Sequence, residues 1–546
     1  MNARMETITL TVNTVKVEVK PGTTVLEAAR MAGFEIPTMC DNAETEHFAS
    51  CMVCVVKDAR NGALLPACSS PAQEGTTLIT DDAEVLEARK MAIELLMSEH
   101  VGDCEAPCRV ACPSNMDIPV MNRLIAAGQF AEALKVVNRD IILPGVLGSI
   151  CPAPCEGVCR RKVVDEAVSI CLLKRFLYDA GPKPEPFEWL TNAPSVCVVG
   201  AGPAGLTAAY FLRKRGYRVD LLFKEETPGG SLRYHLPDGL LDLAVLDAEV
   251  ETIRAAGVTF RPGVLVDQVQ FDALVQEYDA IVLATGNFTE NSHGWSLQHD
   301  EKALYADKQS YRTSMEKVFA VGNVLRSGKL AVRSAGQGKE VAFSVEQFLS
   351  GQPVIGEPVR FNSTIGRIIP DEYAEYMKRA SALPRHSPNI HNTHSEPTLS
   401  ASAKGSIAAK GFALDEAIAE AKRCMDCDCR KADDCLLRQH AERFRIAKKR
   451  FASSERVRVS RQLTAGMVVY EPGKCIKCGI CVRLTAKYSE RFGFTFIGRG
   501  FDVVVGAPLD ATLDEALKET AEIVVKACPT GALGAFAPLV KQGNNR

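Results

Sequence analysis

The sequence predicts a multidomain chain of α+β and α/β class, with two cysteine-rich ends around a metal-free middle. Three observations carry this. The 546 residues suffice for three or four domains of ordinary size. Twenty of them are cysteines, and these fall in tight groups, with only Cys197 between Cys171 and Cys424. Within that middle an apolar strand runs into Gly200-Ala201-Gly202-Pro203-Ala204-Gly205 and then into a helix. That context turns a glycine-rich motif into a dinucleotide site.

The remaining composition is that of an ordinary globular protein: 46% hydrophobic, 24% charged, with a formal net charge of -3. Such a balance gives no general affinity for polyanions. Met1 to Val12 alternates polar and apolar residues without the apolar core of a secretory signal, and no apolar run approaches a membrane span. The expectation is a cytoplasmic chain without a membrane span. Thiols stay reduced there, so twenty cysteines point to metal centres.

The first eighty residues open with two alternating segments, 7–12 and 15–19, which predict a hairpin. Thr24 and Glu27 form a capping-box signature ahead of a helix over 25–32. Cys40, Cys51, Cys54 and Cys68 follow at C-x10-C-x2-C-x13-C, the close pair beside a strand over 53–57 that turns at Asn61-Gly62. A close pair can bind one iron and the outlying cysteines complete a [2Fe–2S] site; a four-cysteine zinc site would favour two close pairs. This segment resembles the ferredoxin-type [2Fe–2S] domain that begins the iron–sulfur large subunit of respiratory complex I and of iron-only hydrogenases. The resemblance implies a β-grasp ferredoxin-like fold over 1–80.

An amphipathic helix over 84–99 leads into His100-Val-Gly-Asp-Cys104. The complex I subunit has a similar His-x3-Cys element whose histidine binds a [4Fe–4S] cluster; a surface or hydrogen-bonded histidine is the plainer reading. From Cys104 the chain resembles the small subunit of glutamate synthase and the N-terminal domain of dihydropyrimidine dehydrogenase, on Ala106-Pro-Cys108-Arg-Val-Ala-Cys112-Pro113, Asp117-Ile-Pro, and Cys151-Pro-Ala-Pro-Cys155-Glu-Gly-Val-Cys159-Arg. That family interleaves two cubanes in a helical domain, here expected over 81–190. The resemblance implies Cys104, Cys108 and Cys159 for one, and Cys112, Cys151 and Cys155 for the other. The family's additional upstream cysteine is absent, and its Gln or Glu ligand aligns with Lys174. His100 is therefore assigned to the first set, and Cys171, one helical turn before Lys174, to the second.

After a proline-rich linker at 182–186, a strand over 195–199 precedes the glycine motif and a helix over 206–215. Cys197 inside the strand reads as a small core residue. The resemblance to the glutamate synthase small subunit continues through Pro228-Gly229-Gly230-Ser-Leu-Arg233, Tyr278 to Thr285-Gly286, and Val318 to Gly322-Asn323. In that family these elements surround FAD. Phe223 stands where the family has its ribose-binding acid, which leaves Glu225 to substitute, and Asn323 stands where it has Asp. The family's second nucleotide-binding domain, for NADPH, is missing: only residues 287–317 intervene, barely one βαβ unit of ~30 residues. Gly336-Gln-Gly338 falls where the family has its flavin-facing helix. The resemblance thus implies an FAD domain over 191–360 that lacks the NAD(P)H subdomain.

Residues 361–465 read as a linker, polar and proline-containing over 383–405, and a helix over 414–424 that delivers Cys424, Cys427, Cys429 and Cys435. A [4Fe–4S] cluster is the first reading of these four, zinc the alternative. The basic run from Arg438 to Arg461 lacks interleaved aromatics and reads as a solvated face or as cations offsetting anionic clusters, not as a nucleic-acid site. Last come Cys475, Cys478 and Cys481 at x2 spacing and a remote Cys528-Pro, a [4Fe–4S] signature. This again resembles the complex I large subunit and implies a ferredoxin-like [4Fe–4S] domain over 466–546.

No acid, base or nucleophile motif appears, so no catalytic residue is expected. With Cys197 set aside, the ligands fill one [2Fe–2S] and four [4Fe–4S] centres, about eighteen irons. The two resemblances imply an electron-transferring iron–sulfur flavoprotein subunit of a larger oxidoreductase. Its expected partners are an NAD(P)H-oxidising flavoprotein or ferredoxin and a catalytic metalloenzyme subunit such as a hydrogenase, formate dehydrogenase or tungsten/molybdenum enzyme. Flavin-based bifurcation is a possible extension. The alternatives are a self-contained NAD(P)H-dependent reductase and a cluster scaffold with an empty flavin fold.

Overall fold

The computed structural model describes residues 7–181, 193–288, 295–328, 330–386, 412–447, 457–464 and 468–535. The expected linker at 182–186, most of the polar stretch over 383–405 and the centre of the basic run lie outside these residues. The chain divides into two compact units: one comprises 1–105, 360–378 and 427–546, the other 106–359 and 379–426. No helix among the described residues is long and apolar enough to cross a membrane.

In the first unit, strands β1 (Ile8–Val12) and β2 (Val15–Val19) form the expected hairpin. With β3 (Val55–Asp58), β4 (Leu64–Pro66) and β5 (Thr77–Ile79) they build a five-stranded sheet of order β2-β1-β5-β3-β4. The β1–β5 pairing is parallel and the others antiparallel. The helix Val25–Met31 starts at the Thr24–Glu27 capping box, where each side chain bonds the other's backbone N–H. Its Leu26, Ala28 and Ala29 bury against Leu10, Val12 and Val56. A second core of this unit joins both ends of the chain: Met39, Val53 and Ile93 pack with Leu437, Tyr470, Phe494 and Val524.

The second unit is centred on a five-stranded parallel sheet. Its strands β6 (Ser195–Val199), β7 (Arg218–Leu222), β8 (Thr259–Arg261), β9 (Ala280–Leu283) and β10 (Val318–Ala320) run in the order β10-β9-β6-β7-β8. Cys197 is fully buried within β6, packed with Ile281 and Leu283. Because β6 pairs with β7 on one side and β9 on the other, its C-terminal end is the switch point at which such sheets open a ligand crevice. Between β9 and β10 the described residues make only isolated bridges, and Trp295, Leu297 and Leu304 fold onto the sheet's own core. A bundle of short helices carries Cys108 to Cys171: Pro107–Ala111, Ile118–Ala126, Phe130–Asp140, Pro144–Ile150, Pro154–Gly157 and Ile170–Ala180. The helix Leu414–Ala421 packs on Ile118–Ala126 and ends before Cys424, short of the expected 424, where an ion pair of Arg123 to Asp426 (3.2 Å) takes over.

Candidate functional site

The thiols of Cys40, Cys51, Cys54 and Cys68 are all buried and meet one another: Cys40 reaches Cys51 and Cys68, and Cys54 reaches Cys68. These contacts hold Cys40 far below the usual thiol range and push Cys51 and Cys68 well above it. Met52 adopts a left-handed conformation (φ 55°), and the next residue, Val53, donates its N–H to Cys51 Sγ at 3.5 Å. The same device recurs at the other end of the chain, where left-handed Lys477 (φ 55°) donates its N–H to Cys475 Sγ at 3.4 Å. Hydrogen bonds to ligand sulfur are among the means by which a protein sets cluster potential.

Cys475, Cys478, Cys481 and Cys528 line one small cavity, closed by Tyr470, Ile480, Val505 and Leu533. Burial pushes Cys475 up to about 11 and Cys478 up to about 12. Cys478 interacts with Cys40, and Cys528 with Cys435.

In the second unit the structure gathers Cys112, Cys151, Cys155 and Cys171. The Cys171 thiol meets those of Cys151 and Cys155, and the buried Lys174 faces all four. The chain delivers them from helix ends. Cys112 and Cys151 each cap the C-terminus of a short helix, and Cys171 lies in the first turn of Ile170–Ala180 with its N–H bonded to Glu156 Oε1 at 3.0 Å. Cys108, Cys159 and Cys424 are half-buried against the core of the same unit.

The structure places Cys104 beside Cys429 and Cys435, a grouping the sequence spacing did not suggest. The N–H of Cys429 bonds the carbonyl of Cys104 at 3.2 Å. His100 lies near Lys474 and Glu471, and burial pushes its imidazole down to about 4, so the ring is neutral at physiological pH. Its Nδ1 is buried without a hydrogen-bond partner among the described residues.

The glycine motif builds the crevice at the end of β6. Gly200 is left-handed (φ 107°), and a Cβ on Gly205 would meet Gly200 O at 1.8 Å, so the loop closes only around glycine. Gly202 caps the helix Pro203–Lys214 without a side-chain hydrogen bond, which leaves the first N–H groups to an anion. Gly200, Ala201, Gly202, Pro203, Ala204, Glu225, Gly230, Thr285, Gly286, Gly322 and Asn323 line the cleft. Three expected residues stand behind it. Gly205 packs under Gly200, Gly229 bonds Ala201 O at 2.9 Å, and Arg233 bonds Pro228 O at 2.8 Å and pairs with Asp247.

Spacing alone missed Lys224, Asn287, Trp295 and Ser334, which also line the cleft. Asn287 follows Thr285-Gly286 directly, and its buried Oδ1 has no partner among the described residues. An uncapped helix terminus, a glycine cradle and this free acceptor fit a dinucleotide. The glycines of Gly336-Gln-Gly338 have packing roles instead. A Cβ on Gly338 would meet Ala204 O at 2.4 Å, and one on Gly336 would meet Pro113 O at 2.4 Å. Gln337 accepts the N–H of Gly322 at 2.9 Å.

Comparison with known proteins matches three stretches. Residues 5–83 match the 2Fe-2S iron-sulfur cluster binding domain, 90–185 the dihydropyrimidine dehydrogenase domain II with its 4Fe-4S cluster, and 198–257 the NAD(P)-binding Rossmann-like domain. The beta subunit of NADP(+)-dependent formate dehydrogenase from Moorella thermoacetica is 37% identical over 207 residues, 33% of this chain and 29% of that protein. The NADPH glutamate synthase small chain of Mycobacterium tuberculosis is 35% identical over 191 residues, 34% of this chain and 39% of that protein. An NAD+-reducing NiFe-hydrogenase structure aligns at 30% identity over 22% of this chain and 49% of that one, with a TM-score of 0.17. This chain therefore spans 29% and 39% of the two curated relatives' lengths. It unites a [2Fe–2S] domain, a 4Fe–4S domain of the dihydropyrimidine dehydrogenase type and a Rossmann-like domain in one polypeptide homologous to oxidoreductase subunits.

Proposed function

We propose that the chain is an electron-relay subunit that holds FAD in the cleft at the end of β6 and iron–sulfur clusters on its grouped cysteines. The observation that carries this is the helix Ala331–Leu349: its Ser334 lines the cleft, while its Gly336 abuts Pro113, the neighbour of the ligand candidate Cys112. Ser114 and Lys339 fasten the same junction, with Ser114 Oγ donating to Val332 O at 3.3 Å and Lys339 Nζ to Asp140 at 2.8 Å. A nucleotide cleft and a thiol set thus share one rigid element. FAD would supply the exchange of an electron pair for single electrons. The chain's own residues receive the pyrophosphate at the Gly202 helix terminus, offer Glu225 to the ribose, and keep the cluster sulfurs buried.

In the first unit the interactions of Cys478 with Cys40 and of Cys435 with Cys528 support a relay through the sets on Cys40–Cys68, on Cys475–Cys528 and around Cys104. The C-terminal segment is read as a ferredoxin-like [4Fe–4S] domain, and substrate chemistry as belonging to partners: an NAD(P)H-oxidising flavoprotein or ferredoxin on one side, a formate dehydrogenase, hydrogenase or tungsten/molybdenum subunit on the other. The described residues between β9 and β10 make no second nucleotide fold, which opposes a self-contained reductase.

Anaerobic titration of the purified chain tests this reading. Dithionite should bleach both flavin and cluster bands, whereas NADPH or NADH without a partner should bleach neither within minutes. Rapid bleaching by either nucleotide would overturn it in favour of the self-contained reductase, and a protein with iron but no releasable flavin would favour the scaffold.

A further inference from the structure

We infer that Cys104, Cys429 and Cys435, with His100 as the fourth ligand, hold a single [4Fe–4S] cluster assembled from chain segments that lie on either side of the entire flavin module. The inference rests on the iron–sulfur reading above and redraws its ligand sets: the family resemblance joins Cys104 to Cys108 and Cys159, and sequence spacing joins Cys429 and Cys435 to Cys424 and Cys427.

The geometry ties the two segments together at consecutive points. Cys429 N–H bonds the Cys104 carbonyl at 3.2 Å. The next residue, Glu105, forms a buried ion pair at 2.7 Å with Arg438, one turn beyond Cys435. A third strand of chain closes over them. Cys104 N–H bonds Ser363 O at 3.1 Å, Ser363 N–H bonds Cys104 Sγ at 3.4 Å, and Arg438 Nε bonds Phe361 O at 2.6 Å. The three thiols interact with one another.

Glycine makes room for this close approach. A Cβ on Gly531 would lie 2.1 Å from Cys429 Sγ. Cys435 caps the helix Leu436–Arg443, and Leu436 N–H bonds Pro529 O at 2.9 Å, which holds that thiol by the loop carrying Cys528.

Three thiolates leave a cubane one ligand short. His100 precedes Cys104 on the same loop and lines a small cavity with Lys474 and Cys475, while a Cβ on Gly531 would meet both Cys429 Sγ and the Lys474 side chain. The buried Nδ1 of His100 has no hydrogen-bond partner among the described residues.

The test is made on anaerobically purified full-length holoprotein, by iron assay and by EPR of the dithionite-reduced protein. Cys104→Ser, Cys429→Ser and Cys435→Ser should each abolish the same EPR signal, and the Cys104→Ser/Cys435→Ser double variant should lose no more iron than either single, about four atoms. Loss of different signals, with about eight irons missing from the double variant, would overturn the grouping while leaving the iron–sulfur reading intact. Iron absent from the wild type would overturn both. Cys427→Ser provides a variant outside the set. It should retain the signal, and its disappearance would count against the grouping. Pulsed EPR should show nitrogen coupling to this cluster in the wild type and none in His100→Cys; a wild-type cluster without that coupling removes His100 from the site.

Discussion

Lys174 sits one helical turn beyond Cys171, and its ammonium, only 3% exposed, faces the thiols of Cys171, Cys151, Cys155 and Cys112. A buried cation there favours the more negative, reduced form of any cluster those thiols hold. At an effective dielectric near 20, a unit charge some 7 Å away is worth about 2 kcal/mol, on the order of 100 mV for a one-electron couple. Lys174→Met should therefore lower that cluster's midpoint by tens of millivolts, read by EPR-monitored redox titration, and Lys174→Arg should restore most of the shift. A rise in potential on loss of the charge would contradict this account.

The glycine cradle separates binding from folding. At Gly202 an added Cβ meets nothing within 4 Å, whereas at Gly205 it meets Gly200 O at 1.8 Å. Gly202→Ala should keep the protein's melting temperature while obstructing the pyrophosphate, so that flavin falls and iron does not. Gly205→Ala should lose flavin together with stability. Glu225→Gln, which removes a charged hydrogen-bond partner worth about 1.5–3 kcal/mol, should weaken FAD binding about tenfold or more. Flavin released on acid precipitation measures all three, and full flavin content in Gly202→Ala would place the nucleotide elsewhere.

Local chemistry made the element boundaries legible. The Thr24–Glu27 capping box, the β1–β2 hairpin and strand Ser195–Val199 stand where periodicity and capping placed them. The helix after the glycine motif begins at Pro203, not Leu206, because proline suits the first helical position. The strand after Cys54 begins at Val55, not Val53, because Val53 spends its N–H on Cys51 sulfur. The convergence of Cys104 with Cys429 and Cys435 was not legible, since spacing reports only what a local turn can bring together. Arg233 stands behind the cleft for a related reason: a side chain within a nucleotide motif can face its neighbour Asp247 as readily as the cleft.

The Glu105–Arg438 pair is buried, with Arg438 only 1% exposed. Removing one partner strands the other's charge, at a cost of about 3–5 kcal/mol. Arg438→Met should lower the anaerobic denaturation midpoint accordingly, and Glu105→Gln on that background should recover part of the loss. Equal stability of wild type and Arg438→Met would show that the pair does not fasten the Cys104 loop.

Glu471 gives the first unit a pH signature. Burial raises its carboxyl, but Lys474 and Arg461, the latter at 3.0 Å, outweigh burial and bring it down to about 2 from an ordinary 4.5. The unfolded chain therefore takes up this proton first as the solution is acidified. The pair's contribution is complete above pH 4.5 and drains away as the pH falls toward 2. Glu471→Gln should destabilise the protein at pH 7 by leaving Lys474 and Arg461 without their carboxylate. The difference from wild type should narrow as the pH drops below 4.5, measured by anaerobic denaturation at matched pH values. A difference that held constant from pH 7 to pH 3 would mean that the ion pair does not control the titration of Glu471.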